Sequence, residues 1–203
     1  MKKQNKQLNR DKNILYTGFG DKGTTTLFHC DQGRISKSAY IIEALGSLDE
    51  LNAYIGVVKL QPKVDEVNVL IGKKRVNIIT ILNDIQQTLF VIQAELAGSK
   101  MTVKKVELNK IEKIIAIISD ILPPITSFTI AGGSLLSAEL DVSRTLSRRC
   151  ERRIIGVVDE GKTKIGLVTI AYLNRLSSVF FALSRYTNHI LSIREDHPKY
   201  NKK

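Results

Sequence analysis

Arg144, Arg148 and Arg152 recur at every fourth position of the stretch Ser134 to Gly156, S-L-L-S-A-E-L-D-V-S-R-T-L-S-R-R-C-E-R-R-I-I-G, with Glu151 beside them. That spacing stacks side chains one turn above another on a single, slowly drifting helical face. Stacked guanidinium groups form a cationic ladder, and their planar forks of donors suit a polyphosphate better than lysines do. The same residues also describe a solvated surface laced with ion pairs. A second anion-binding element is therefore needed. Tyr16 to Thr26, Y-T-G-F-G-D-K-G-T-T-T, offers one. Gly18, Gly20 and Gly23 permit positive φ angles and close backbone approach, so successive N–H groups can converge on an anion. Thr24, Thr25 and Thr26 add hydroxyls, and Lys22 adds a point charge. The stretch is neither a Walker A loop nor a dinucleotide-binding fingerprint.

The ladder needs a helix to carry it. Its stretch lacks proline, with Glu139 and Asp141 in the first half and four arginines in the second, the polarity that a helix dipole favours. Apolar spacing of three and four predicts further helices over 39–60 (Ile41, Leu45, Leu48, Leu51, Ile55, Val58), 76–97 and 103–122, and a fifth beginning near Thr169. Pro62, Gly98 and the Pro123–Pro124 pair end the first three. Asp49 and Glu50 are expected to face water. Phe128 falls in the connection before Gly132 and Gly133, where a loop aromatic is expected to plug the core. Five amphipathic helices with short connections predict an all-α, antiparallel five-helix bundle of the ferritin-like type, preceded by the glycine-rich loop. Apolar faces left over after one bundle forms favour an oligomer.

The chain has 203 residues, 43% of them apolar, enough for one domain with a sizeable core. Its net charge of +11 is concentrated at the ends: residues 1–13 carry +4 and residues 194–203 carry +2. We divide it into a basic arm (1–14), a single domain (15–193) and a charged tail (194–203). A basic balance favours anions without choosing among them, and 6% aromatics with no tryptophan argue against a single-strand stacking platform. Cys30 and Cys150 form no metal-binding or disulfide pattern, and His29 beside Cys30 reads as an ordinary loop residue. Asp120 and Arg175 interrupt the apolar runs that come nearest to the about 18–20 residues of a membrane span. A soluble, cytoplasmic protein with neither a membrane nor a nucleic acid as partner is expected.

Three segments in matching order, Y-T-G-F-G-D-K-G-T-T-T, E-A-L-G-S-L-D-E-L-N-A-Y-I-G, and S-R-T-L-S-R-R-C-E-R-R-I with Y-L-N-R-L-S after it, resemble the PduO-type ATP:cob(I)alamin adenosyltransferases. The likeness runs from about Tyr16 to Asn188. It implies a trimer of five-helix bundles with active sites between neighbouring subunits. It also implies attack of corrinoid cobalt(I) on the 5′ carbon of ATP, with triphosphate expelled and Mg²⁺ assisting. By the same resemblance Thr17, Gly18, Phe19, Gly20, Thr25, Thr26 and Lys37 hold the triphosphate, and Arg148, Arg149, Cys150, Glu151, Arg152 and Asn174 complete the ATP site. Arg148 and Arg152 are its catalytic cations, Asp49 pairs with Arg144 across the subunit boundary, and Phe128 packs under the corrin to displace the lower cobalt ligand. No metal-binding residues of the chain are implied. A reductase and an adenosylcobalamin-dependent acceptor enzyme are possible partners. The chain departs from the family pattern at Phe19, Ala131 and Ser178, which motivates one alternative, a carrier or sensor that binds ATP or corrinoid without turnover. A second alternative is a basic helical module for nucleic acid, whose affinity would fall steeply with salt.

Overall fold

The computed structural model describes residues 15, 16, 18–27, 33–161 and 163–200. The basic arm, Thr17, and His29 with Cys30 lie outside them. Two short strands, β1 (Thr24–Thr25) and β2 (Ile35–Ser36), pair antiparallel ahead of α1 (Tyr40–Val58). A single 3-10 turn (Val64–Glu66) and a hairpin of β3 (Asn68–Ile71) and β4 (Lys74–Asn77) lead to α2 (Ile78–Leu96). Then follow α3 (Lys105–Ile121), α4 (Leu135–Asp159) and α5 (Leu167–Ile190).

The helix boundaries follow local chemistry. Asn77 closes β4 and caps α2, its Oδ1 accepting from Ile79 N at 2.9 Å, which is why the helix begins two residues later than the apolar spacing suggests. At its other end Ser99 N donates to Ala94 O and Gly98 N to Glu95 O around a left-handed Gly98, a Schellman stop. Ser134 caps α4 through a 3.0 Å bond from Ser137 N to its Oγ. The buried Glu95 carboxylate accepts from Gly166 N at 2.7 Å and Thr169 Oγ1 at 2.6 Å, placing a negative group at the N-terminus of α5 and tying α2 to it.

Helix α4 lies between α1 and α5, α5 packs on α3, and α1 on α2. Leu48, Leu51, Ile55, Leu82, Ile85, Leu89, Ile154, Leu176 and Phe180 fill the core between them. Helix α5 is long and apolar enough to cross a membrane by length and composition. Its inward residues nevertheless join this core, and its last turns bury Ser184, Arg185, Thr187 and Asn188, each hydrogen-bonded.

Two features depart from the sequence expectation. The hairpin 68–77 stands where no element was expected, its two-residue Gly72–Lys73 turn entered at φ 64° by the glycine. Tyr186 of α5 donates to Asn68 O at 2.8 Å and pins it to the bundle. The C-terminal tail is also not merely a charged extension, because Glu195, Asp196 and His197 bond to α5 and to the connection ahead of α4.

Candidate active site

Helix α4 sorts its arginines by phase. Arg149 pairs with Glu50 of α1, and Arg153 with Glu43 at 3.0 Å. Arg148 and Arg152 are turned about 100° from that pair. Both are exposed, and neither has a hydrogen bond or ion pair among the described residues. Arg144, one turn below Arg148, is half-buried, its Nε donating to Asp141 Oδ1 at 2.9 Å. The ladder therefore holds one anchored guanidinium and two unneutralised ones. Glu151 lies beside them and accepts from Asn174 Nδ2 of α5 at 2.9 Å. Asp49 is exposed on α1, as expected.

Arg148 opens onto a cavity of about 630 Å³ between α4, α5 and the segment 125–131, shared with Arg144, Asp141, Phe128, Ser178 and Phe181. Its floor is a buried polar network. Asp141 Oδ2 accepts from Ser184 Oγ at 3.0 Å, and Ser184 Oγ lies 2.9 Å from Ser137 Oγ, which donates to Gly132 O at 3.0 Å. Arg144 and Arg185 lie over the Phe181 ring at 5.9 and 6.0 Å. The expectation that Phe128 plugs the core is wrong: its side chain is 78% exposed and faces the cavity. Downstream of it the chain is held against α5: Gly133 (φ 100°) sits so near Asn188 that a Cβ would fall 2.5 Å from its Oδ1, and the same amide bonds Gly132 O and Ser134 N.

Cys150 points the other way. It is fully buried under α1, its Sγ donating to Ser47 O at 3.0 Å, and burial pushes its thiol up to about 11 against the pull of the nearby Arg149 and Arg153 charges. Arg149 has its Nε buried without a hydrogen-bond partner. These two residues sit behind the free arginines, whereas Arg148, Glu151, Arg152 and Asn174 share the open side.

The glycine-rich turn folds on the α1 side. Gly18 (φ 67°) and Gly23 (φ 71°) are left-handed, and Gly20 lies against the Lys37 side chain, whose Nζ would stand 3.0 Å from a Cβ placed there. Lys37 N donates to Gly23 O at 2.9 Å, so the lysine is fixed to the turn. Arg34, which the sequence did not single out, ties the turn together. Its Nε donates to Thr24 Oγ1 at 2.8 Å, and its Nη2 to Thr24 O at 2.6 Å and to Phe19 O. By engaging carbonyls, Arg34 leaves the outward surface to donors. Phe19 is 68% exposed, Thr25 ends β1, and Thr26 follows it.

The structure thus brings together two groups: Gly18, Phe19, Gly20, Thr25, Thr26 and Lys37 in one, and Phe128, Arg144, Arg148, Glu151, Arg152 and Asn174 in the other. The cavity that Arg148 faces is lined, among these residues, by Phe128, Arg144 and Arg148 of the second group. Phe181, Asp141 and Arg34 are the site residues missed in the sequence; a lone Phe, Asp or Arg carries no spacing signal.

Comparison with known proteins bears on this geometry. The sequence profile of the family described as cobalamin adenosyltransferase matches residues 15–187. The corrinoid adenosyltransferase PduO of Citrobacter freundii is 34% identical over 182 residues, covering 86% of this chain and 50% of that protein. The corrinoid adenosyltransferase of Mycobacterium leprae is 31% identical over 185 residues, covering 86% of this chain and 91% of its own. The chain thus spans half of one relative and most of another. Among solved structures, a Phe-to-His variant of a PduO-type ATP:corrinoid adenosyltransferase from Lactobacillus reuteri, complexed with cobalamin and ATP, superposes with a TM-score of 0.80 at 28% identity, covering 93% of this chain and 98% of that one. An Arg-to-Lys variant of that enzyme complexed with ATP gives 0.77 at 28% identity, over 91% and 100%. On the profile match across nearly the whole described domain, and on the fold, this chain belongs to the cobalamin adenosyltransferase family.

Proposed function

We propose that the chain transfers the 5′-deoxyadenosyl group of ATP to the cobalt of a reduced corrinoid, cob(I)alamin, forming adenosylcobalamin. The cobalt(I) electron pair forms the bond to C5′, the C5′–O bond breaks, and its electrons leave with triphosphate. No general base is required, because cobalt(I) is itself the nucleophile. The protein's task is to orient the reactants in line and to stabilise the charge that gathers on the leaving oxygens. The observation that carries this reading is the phase of α4: Arg148 and Arg152 alone among its central arginines have no anionic partner, and Arg148 faces the cavity that Phe128 borders.

Arg148 and Arg152 act on the triphosphate, the hydrogen-bonded pair Glu151 and Asn174 completes the nucleotide site beside them, and Arg149 and Cys150 support the helix from behind. The glycine turn, with Thr17, Thr25, Thr26 and Lys37, supplies N–H groups, hydroxyls and an ammonium. In a homotrimer a neighbouring copy brings the glycine turn and the arginine group together. Exposed Asp49 then meets the Nη groups that Arg144 leaves free after bonding Asp141. Phe128, exposed and backed by a rigid connection, takes the lower cobalt face, where an apolar wedge excludes water and the axial ligand. Mg²⁺ that accompanies ATP supplies charge neutralisation. Beside the free arginines the chain offers the Glu151 carboxylate, and the described residues contain no cluster of three or more His, Cys, Asp and Glu. That donor set fits an ion that keeps its waters and is held mainly by phosphate. Cytoplasmic residence, and an exchange of corrinoid with a reductase and an acceptor enzyme, belong to the same reading.

The test is to mix the purified protein with ATP, Mg²⁺ and chemically reduced cobalamin and to follow the absorbance of the cobalt–carbon product. Conversion supports the transferase; ligand binding without conversion favours the carrier or sensor; salt-sensitive nucleic-acid binding indifferent to ATP favours the basic module.

A further inference from the structure

The segment from Pro123 to Ala131 carries Phe128 into the cavity without regular structure of its own. Its hydrogen bonds among the described residues all run to the C-terminal tail or to Arg185, the residue that holds that tail. Arg185, 8% exposed, takes the Glu195 carboxylate at 2.9 to 3.1 Å and donates to Pro123 O at 3.3 Å. Ile130 N donates to Asp196 O at 2.8 Å. His197 Nδ1 lies 2.9 Å from Phe128 O and 3.0 Å from Ser127 Oγ. A carbonyl only accepts, so Nδ1 carries the proton in that bond. Two of these bonds bracket the aromatic: one on its own carbonyl, the other two residues on.

We propose that His197 is a positioning residue for Phe128, the tail 195–197 acting as a strap that fixes the backbone from which the aromatic enters the cavity. This rests on the reading of Phe128 as the wedge at the lower cobalt face. Among the described residues the connection's other hydrogen-bonded anchors lie at its ends, Arg185 at Pro123 O and Asn188 at Gly132 and beyond. Without the His197 bond the peptide at Phe128 gains freedom, and the ring loses the defined direction that displacement of an axial ligand demands. ATP, held by the α4 arginines and the glycine turn rather than by this connection, should be indifferent.

The experiment compares intact cobalamin with a corrinoid lacking the lower nucleotide ligand, in His197→Ala, His197→Asn, Phe128→Ala and the double alanine variant. His197 is exposed, so its variants are expected to keep the fold, checked by thermal melting. Expected for His197→Ala is a kcat with cobalamin about tenfold lower relative to the base-free corrinoid, the scale of one lost hydrogen bond, with KM for ATP unchanged. His197→Asn, whose amide can present an N–H near the Nδ1 position, should restore most of the ratio. In the Phe128→Ala background, His197→Ala should alter the ratio less than twofold, since coupled residues are not additive. Equal losses on both corrinoids, or a wild-type ratio in His197→Ala, overturn the strap while leaving the wedge intact. A wild-type ratio in Phe128→Ala overturns the wedge reading itself, and the strap's role with it.

Discussion

Arg149 of α4 is ion-paired with Glu50 of α1, whereas Arg148, its neighbour in sequence, has no ionic partner among the described residues. One helical step thus separates a guanidinium that holds two helices together from one left uncompensated beside a cavity. An exposed guanidinium left unpaired beside a cavity offers its full fork of donors to an external anion.

Arg148→Ala should therefore lower the rate of adenosyl transfer by about 10²–10³-fold, the scale of losing one preorganised donor at a leaving group. Its melting temperature should stay close to that of the parent. Arg149→Ala should show the reverse: destabilisation of up to about 1 kcal/mol, as for a partly exposed pair, and a much smaller loss of rate. Calorimetry and product absorbance measured on both variants check the assignment, and near-normal turnover in Arg148→Ala would remove that residue from its role.

If the glycine turn and the free arginines meet only between chains, two inactive variants should repair each other. Lys37→Ala spoils one group and Arg148→Ala the other. After random reassortment about one quarter of the inter-chain sites combine an intact turn with an intact arginine, so activity should return to about a quarter of the parent's. Should the site lie within one chain, mixing would restore nothing.

Gly133→Ala should destabilise the protein and loosen the Phe128 connection together. Its Cβ would overlap Asn188, and its φ of 100° is costly for any residue with a side chain. The backbone cost alone is about 1–3 kcal/mol, and displacing Asn188 also frees Gly132 O and Ser134 N. Denaturant melts report the first effect; selective loss of rate with intact cobalamin reports the second.

Cys150 predicts an alkaline effect. Burial raises its thiol from 9.0 to about 11 in the folded chain, so folded and unfolded states are both protonated below pH 9 and the stabilisation is complete there. Above pH 9 the unfolded thiol ionises first, and stability falls by about 2–3 kcal/mol as pH approaches 11. Tyr172, also raised by burial, adds to the loss above pH 10. Cys150→Ser, which keeps a donor for Ser47 O, should flatten the part of the fall between pH 9 and 10. In a Cys30→Ser background the native protein should resist thiol reagents at pH 8.

Much of the frame was legible because its signals are local and repeated. The apolar spacing of Leu48, Leu51, Ile55 and Val58, or of Leu82, Ile85, Leu89 and Ile92, can be satisfied only by helices buried on one face, and the observed ends fall within a few residues of those expected. The hairpin was missed although N-V-L-I-G-K-K-R-V-N has a Gly-led two-residue turn, since Val76 also suited the α2 stripe. Around the site, Arg148 and Arg152 could be singled out by spacing, but not the fact that their sequence neighbours Arg149 and Arg153 find carboxylates on another helix. That depends on Glu43 and Glu50, about a hundred residues earlier, facing them across α1. Arg34 and His197 work through backbone carbonyls, which every residue possesses, so no side-chain pattern betrays them.

The sorting of arginines on α4 also fixes how the helix tolerates length changes. A single residue inserted just before Arg144 would rotate everything after it by about 100°, carrying Cys150 out of its slot under α1 and swinging the uncompensated cations toward a different side of the bundle. A four-residue insertion, nearly a whole turn, would keep the facing but slide each cation about 6 Å along the axis. Variation in this helix is therefore confined to exchange of side chains, and the register between the capping Ser134 and Arg148 is a ruler that neither gains nor loses a mark.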